Sequence, residues 1–519
     1  MSTNKVNGHV RPSVRSLQDE YEKGNKQPLE DLLRAWKGIK DLPPCDPQSF
    51  FVLGGYHGEP FVYRQDWPEG KGLYWGGYCN HGNVLFPTWH RIYVLKLEQA
   101  LQSIVPGVMM PYWDETSQET LAKGIPWILT AATVILDEQE IDNPLRSFVL
   151  PETLSDNMAE DKDYIYAKPK GYETVRYPLS GLVGTPQAQA KTERHNAQYP
   201  DPDTNSKLLN NNVLAWLKGN SPTTKDPNPS QNGIQAQYQM CLQAPNYTAF
   251  SNTTSAQAWN KENPGTVVPL ESPHNDIHLS VGGFDVPGSE SGQIADTNGD
   301  MGENNTAALD PIFFFHHCNV DRMFWLWQQQ NGCTNNIDII SGYAGTNSND
   351  LQGPTPGVPP DTTLDLDTPL NPFRKDDGTP YTSKDCVNIA TQLGYTYGPG
   401  SLKETSASLA VATGFSTKKL TVRGIDRALF QGSFVITAYA TVGTNSGETT
   451  EYYLGYHSVL SRRDVVRCVN CLTHLEVIAH FPLSSLPEDR VEQAEYRIDI
   501  QHRGPNLPTD LSYTFEVSD

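Results

Sequence analysis

The chain has 519 residues, enough for two or three domains and a large buried core, and with 37% hydrophobic and 10% aromatic residues it reads as globular rather than disordered. Its 60 acidic side chains outnumber 39 lysines and arginines, and the net charge of −21 argues against nucleic acid or an anionic membrane surface as partner, because phosphate recognition relies on clustered cations. No apolar run approaches the roughly 20 residues of a spanning helix, and the polar opening MSTNKVNGHVRPSVRS lacks the apolar core of a secretory signal, so an intracellular protein is expected.

From Leu17 to Ile39 the spacing of Leu29, Leu32, Leu33 and Trp36 predicts one helix with a single apolar face, ended by Pro43-Pro44. Leu53 to Pro87 is rich in glycine and aromatics (GGYHGEP, YWGGYCNHGN), which predicts irregular loop or short turns carrying His57 and His81. Thr88 is the expected N-cap of the next helix, in which His90, Tyr93, Leu97 and Leu101 share one face. Pro111–Asp114 (PYWD) closes that segment. Residues 155–265, rich in Asn, Gln, Pro and Ser, read as long insertions around a core, with helical pieces such as Leu208–Leu217 and no legible function. Two glycosylation triplets there, at Asn246 and Asn252, read as chance surface matches in a chain with no export signal.

In HNDIH, His274 and His278 are four residues apart and stack on one side of a helix. A loop from Gly282 to Asn305 then leads to an apolar helix, Leu309–Gln330, with Phe313, His317, Val320 and Phe324 on one face. Gly353–Phe373 is Pro-rich and reads as an extended surface connection, and the first domain finishes near Gly394–Gly400. From Leu420 onward, LTVRGI, GSFVITAYATV, EYYLGYHSVL, THLEVIAHF and EYRIDIQHR alternate apolar and polar residues between turn signals, predicting a small antiparallel β domain. The division expected is 1–400 and 401–519. The eight cysteines, Cys45, Cys79, Cys241, Cys318, Cys333, Cys386, Cys468 and Cys471, do not form a disulfide-framework pattern in so long a chain.

Six histidines divide three and three: His57, His81 and His90, then His274, His278 and His317. Any one of them alone would be an ordinary core histidine; together they are what a pair of metal ions needs. Imidazole suits copper, zinc, iron and nickel alike, so ligand type leaves the metal open. The text around them narrows it. GGYHGEP, CNHGNVLFPTWHR, PYWD, ESPHNDIH and DPIFFFHHCNVDRMFWLWQ resemble the tyrosinases and catechol oxidases, the type-3 copper phenol oxidases, and closely the fungal members in the latent form that retains a C-terminal domain.

That resemblance implies a mainly α catalytic domain, a four-helix bundle around two coppers with long loops, followed by a C-terminal antiparallel β-sandwich-like lid. His57, His81 and His90 would bind one copper and His274, His278 and His317 the other. Of the doublet His316-His317 the family pattern selects His317, with three residues between it and Asp321, leaving His316 to orient a ligand or hold the helix. Two coppers held by neutral imidazoles alone can cycle between Cu(I) and Cu(II) and take dioxygen as co-substrate, each keeping an open position. Trp89, Phe313, Phe314 and Phe315 would exclude water and pack the ligand helices, or simply form helix core. In similar fungal enzymes a cysteine at the position of Cys79 is joined by a thioether to the histidine two residues on, here His81.

Glu271 and Asn275 match the pair that holds a proton-accepting water in enzymes acting on monophenols; Leu279 stands at a further position that tunes this choice and offers no base. The implied activity is hydroxylation of monophenols to o-diphenols and oxidation of o-diphenols to o-quinones. A catechol oxidase or o-aminophenol oxidase would share every ligand, and a haemocyanin-like oxygen carrier is the rival outside the enzymes. Tails of this type place a side chain in the substrate pocket until proteolysis or acid releases it, with Tyr453, Tyr456 and Val459 as the candidates here. Cys468 and Cys471 match pairs linked with copper delivery, a role that soft thiolates suit; a small zinc site with His474 and His480, or a redox pair, is the alternative reading. The partners implied are small phenols and an activating protease, and the sequence also admits a homo-oligomer.

Overall fold

The computed structural model describes residues 9–58, 77–155, 167–181, 186–219, 233–287, 298–350, 357–403, 418–430, 432–443, 448–461, 475–502 and 511–518. The opening helix is two helices, α1 (Val14–Glu22) and α2 (Gln27–Asp41), because the chain turns at Gly24, whose φ of +99° costs glycine little and other residues more. The apolar face of α2 is buried as its spacing requires, with Leu29, Leu32, Leu33 and Trp36 all inside. A short helix α3 (Phe50–Gly55), capped by Ser49, follows. The next, α4 (Phe86–Ile104), begins two residues before Thr88, with Pro87 in its first turn. Thr88 is therefore not its cap; its hydroxyl donates back to the Leu85 carbonyl at 3.2 Å and meets Ser383 Oγ at 2.8 Å.

Residues 155–265 carry much more structure than their composition announces. After α5 (Gln118–Lys123), this region holds α6 (Pro186–Asn196), α7 (Pro202–Lys218), α8 (Ile234–Cys241), α9 (Tyr247–Ser251) and α10 (Thr253–Glu262). Asn246 and Asn252 are the N-caps of α9 and α10, accepting from Ala249 N and Ser255 N at 2.9 Å each. Asn252 is fully buried, so its triplet is not a surface one. The ligand-bearing helices α11 (Glu271–Val281) and α12 (Ile312–Gln330) complete the helical part. At its centre Trp36 of α2 stacks on Phe315 of α12 at 5.5 Å, and α4 packs against both helices.

Short strands stitch this part together. β1 (His9–Arg11) runs parallel to a strand near the end of the helical part, while β2 (Thr133–Leu136) pairs with β3 (Gln139–Asp142), β4 (Leu154–Ser155) with β5 (Ala167–Lys168), and β6 (Pro369–Arg374) with β7 (Pro380–Thr382). The partner of β1 is β8 (Tyr395–Tyr397). Arg11 of β1 bonds Glu98 at 2.9 Å and Asp321 at 3.2 Å, and its guanidinium lies 3.5 Å from the centre of the Tyr395 ring. The last residues of the Pro-rich connection belong to strand β6, with Leu364 and Leu370 fully buried rather than on the surface.

From Lys419 the chain is β-rich, as its alternation requires. Strands β9 (Lys419–Asp426), β10 (Phe434–Gly443), β11 (Thr449–Val459), β12 (Glu476–Pro482), β13 (Glu495–His502) and β14 (Thr514–Ser518) form two antiparallel three-stranded sheets, ordered β11-β10-β13 and β12-β9-β14. Inward residues of both sheets, among them Val422, Ile436, Leu454, Ala479 and Ile498, share one apolar cluster separate from the main core. The architecture is therefore mixed: a largely helical body with small antiparallel sheets at the C-terminal end.

Candidate metal centre

Four segments bring the histidines together. His57 leaves the end of α3, His81 lies in the loop before α4, His90 is on α4, His274 and His278 are on α11, and His316 and His317 are on α12. All seven rings are buried. Ring nitrogens of His57, His81 and His90 lie within 4.8 Å of one another, and so do those of His274, His278, His316 and His317. The two groups adjoin, with the rings of His90 and His317 stacked at 4.5 Å and those of His81 and His274 at 5.4 Å.

Hydrogen bonds at Nδ1 decide which nitrogen faces inward. His57 Nδ1 pairs with the Asn304 carbonyl at 3.1 Å, His90 Nδ1 with the Phe86 carbonyl at 2.8 Å, His274 Nδ1 with Asn275 Oδ1 at 2.9 Å, and His278 Nδ1 with the Met301 carbonyl at 2.9 Å. A ring that donates from Nδ1 presents the lone pair of Nε2, which is the arrangement of a metal-binding histidine. In the second group His317 Nε2 lies 3.2 Å from His274 Nε2 and 3.4 Å from His278 Nε2. Three ring nitrogens gathered this closely are placed to share one cation. In the first group His90 Nε2 is buried without a hydrogen-bond partner among the described residues, a condition that a metal ion relieves. The donor set fits two metal ions.

Burial pushes the imidazoles toward the neutral state that ligation needs. His90 is lowered to about 3, and His274, His278 and His317 are held well below the ordinary range by desolvation and by each other. Aromatic rings form the walls, with Phe313 stacked 4.0 Å from His317 and set edge-on 4.7 Å from His57. Trp89 packs against His90 at 4.8 Å.

His316 is drawn into the second group by distance, yet its Nδ1 is engaged at 2.7 Å by Glu115 Oε1, whose other oxygen accepts from Tyr238 OH at 2.7 Å. Burial drives Glu115 up and His316 down to about 3, so both lean to their neutral forms. Neither Glu115 nor Tyr238 stood out in the sequence; Glu115 directly follows PYWD, which was the one available signal.

Glu271 is not a solvated loop carboxylate. It is fully buried at the start of α11, with Oε1 accepting from Gly82 N at 2.9 Å and Oε2 from Thr253 N at 2.8 Å and Thr253 Oγ1 at 3.0 Å. Burial pushes its carboxyl up to about 7. Asn275 lies within α11 and caps no helix; its side-chain oxygen serves His274. Leu279 is fully buried in the main core. Cys79 is buried, and Asn304 Nδ2 lies 3.7 Å from its sulfur.

Of the three tail candidates, Tyr456 reaches the helical body. Its hydroxyl donates to Asp276 Oδ2 at 2.9 Å, Gln237 Nε2 donates to it at 3.2 Å, and its ring meets Trp216 edge-on at 5.1 Å. Asp276 is two residues from both His274 and His278, about 200° around the helix from each, so Tyr456 grips the outer side of α11. Tyr453 packs on Tyr439 within its own sheet at 5.8 Å, and Val459 belongs to the tail core. Cys468, Cys471 and His474 lie outside the described residues.

Residues 47–330 match the common central domain of tyrosinase. The chain belongs to the tyrosinase family. It is 66% identical to tyrosinase HcTyr2 of a Hahella species over 96% of this chain and 92% of that one, and 42% identical to a tyrosinase of Aspergillus oryzae over 95% and 93%. The solved tyrosinase of Burkholderia thailandensis at low pH superposes with a TM-score of 0.90 at 62% identity, covering 98% of this chain and all of that one. The likeness thus runs to bacterial as well as fungal chains. As a tyrosinase-family copper enzyme, the protein uses a binuclear copper centre with dioxygen, and the two histidine groups are where two metal ions can be held.

Proposed function

We propose that the protein hydroxylates monophenols to o-diphenols and oxidises these to o-quinones, with dioxygen reduced to water. His57, His81 and His90 would hold one copper and His274, His278 and His317 the other. The observation that carries this assignment is the convergence of ring nitrogens in each group, with the Nδ1 of His316 turned to Glu115. Bound there, a copper pair would supply the oxygen-binding position and relay electrons from the phenol to dioxygen. Asn275 fixes the His274 ring, Phe313 and Trp89 keep water from the site, and Glu271, poised by burial near neutrality, holds or passes a phenol proton through a water. The three bonds that Glu271 already accepts favour, as the second reading, an enzyme restricted to diphenols. Cys79 would be joined to His81 by a thioether; the intact mass of the denatured protein should then fall short by two hydrogens, and a full mass rejects the link.

The division near residue 400 into catalytic body and sandwich-like lid is supported by the two separate apolar clusters. The lid would keep the enzyme latent until displaced or cleaved. Its placement of Tyr456 on the outer side of α11 supports a clasp on the ligand helix; Tyr453 and Val459 would then serve the lid itself. Cys468 and Cys471 would deliver copper to an intracellular enzyme. The decisive experiment is copper quantitation together with turnover of a monophenol and a diphenol, before and after limited trypsin treatment. Two coppers per chain with monophenol activity released by cleavage is the expected result. Diphenol activity alone selects the second reading, and zinc or no metal overturns both.

A further inference from the structure

One short turn, residues 300–304, serves both histidine groups. Its Met301 carbonyl orients His278 and its Asn304 carbonyl orients His57, one ring from each group, at 2.9 and 3.1 Å. The turn is pressed into place from two sides. A Cβ on Gly282, at the end of α11, would stand 1.8 Å from Gly302 N, and one on Gly58, beside His57, would stand 1.6 Å from the Asn305 carbonyl oxygen. Only glycine permits these approaches.

Beneath the turn lies Lys168, fully buried on β5. Its ammonium bonds Asp300 Oδ1 at 2.6 Å and the Gly181 carbonyl at 2.7 Å, and lies 3.3 Å from Glu303 Oε2. The second oxygen of Asp300 takes Tyr172 OH at 2.6 Å and Val175 N at 2.8 Å. Asp300 and Glu303 directly precede the two carbonyl-bearing residues. Without the ammonium, the two carboxylates would lose the one cation they share inside the protein, and their mutual repulsion would move the Met301 and Asn304 carbonyls with them.

We propose that Lys168 is a positioning residue for both metal groups, acting through the 300–304 turn to set the rings of His57 and His278. The proposal rests on the dicopper reading above. It is tested on the full-length chain by titrating copper against a chelator and following the cupric EPR signal. For Lys168→Met, copper binding should weaken by roughly 10-fold at both sites, as for other partners that orient metal-ligating histidines. A mononuclear cupric signal should appear at copper levels where the wild type forms a coupled, EPR-silent pair, and Lys168→Arg should recover most of the loss. Where Lys168→Met does not fold, Tyr172→Phe removes one bond to Asp300 without stranding a charge, and roughly threefold weaker binding is expected. Wild-type copper affinity in the folded variant overturns the proposal even if the metal-free protein melts earlier, because a merely structural lysine would behave in that way. A wild type that binds no copper pair would instead fail the dicopper reading, a separately visible outcome.

Discussion

At the scale of single residues the centre separates ligands from the groups that aim them. His317 completes the second convergence of Nε2 atoms, whereas His316 turns its Nδ1 to Glu115. His317→Ala should therefore leave one copper per chain, while His316→Ala should keep two with roughly 10-fold weaker binding; metal analysis after dialysis distinguishes them, and equal losses would make both ligands. Glu271 is the second test. Glu271→Gln preserves shape but turns an amide NH2 toward backbone donors, so monophenol turnover should fall by roughly 10²-fold and diphenol oxidation by well under that. Equal losses in the two assays would show that tying Gly82 to Thr253 is all that Glu271 does. The six histidines and Glu271 could be named as candidates because the motifs around them resemble the family's, and the structure buries all seven side chains. Glu115, Tyr238, Met301 and Asn304 were not legible, because two act through backbone carbonyls that any residue could supply and two become neighbours only when distant segments fold together.

At the scale of elements the question is what holds the ligand helices in register. Arg91, next to His90 on α4, bonds Asp321, one turn beyond His317 on α12, and also the Cys386 carbonyl at 2.8 Å. Arg11 from β1 and the hydroxyls of Tyr395 and Tyr397 from β8 converge on the same carboxylate, which their charge and hydrogen bonds hold below the ordinary range against the cost of its burial. Asp321→Asn takes from buried Arg91 its carboxylate partner, while Arg11 keeps Glu98, and should destabilise the helical body by about 3 kcal/mol. Denaturant unfolding monitored by tryptophan fluorescence measures this, and a change below about 1 kcal/mol would show that the network is solvated or redundant. The periodicity of α2, α4 and α12 was readable because one face of each is apolar. The break between α1 and α2 was missed because Gly24 interrupts a run of otherwise good helix formers. Of the helices of residues 155–265 the piece Leu208–Leu217 was readable and lies within α7, whereas the others were not, because their exposed faces are rich in Asn and Gln and packing rather than propensity makes them helical.

At the scale of the whole molecule the C-terminal sheets are joined to the body at named points. Tyr456 meets Asp276, Gln257 Nε2 donates to the Ile478 carbonyl at 2.9 Å, and Ser433 Oγ donates at 3.1 Å to the Gly302 carbonyl, in the turn that orients both histidine groups. Lys419 bonds the Asn260 carbonyl and, at 3.0 Å, that of Asn263. Near this junction burial pushes His457 and His480 down to about 4, with His480 as the added positive neighbour of the first and Lys419 and Arg423 of the second. Both are thus neutral when folded, and between about pH 6.5 and pH 4 the unfolded tail binds more protons than the folded one. Their contribution is complete above pH 6.5 and is lost as the pH falls toward 4, by up to about 1.4 kcal/mol per pH unit for each histidine. Thermal unfolding of the tail at pH 7 and pH 5 checks this; an unmoved transition would show that the two rings are already solvated. The sequence by itself determined the family, the candidate histidines and the helical-then-β order, because side-chain chemistry and hydrophobic period are properties of the chain read locally. Only the tertiary structure decided which nitrogen His57, His90, His274 and His278 present, that Tyr456 grips the outer side of α11, and that one turn over Lys168 serves both groups, because most of these contacts join atoms from segments far apart in the chain.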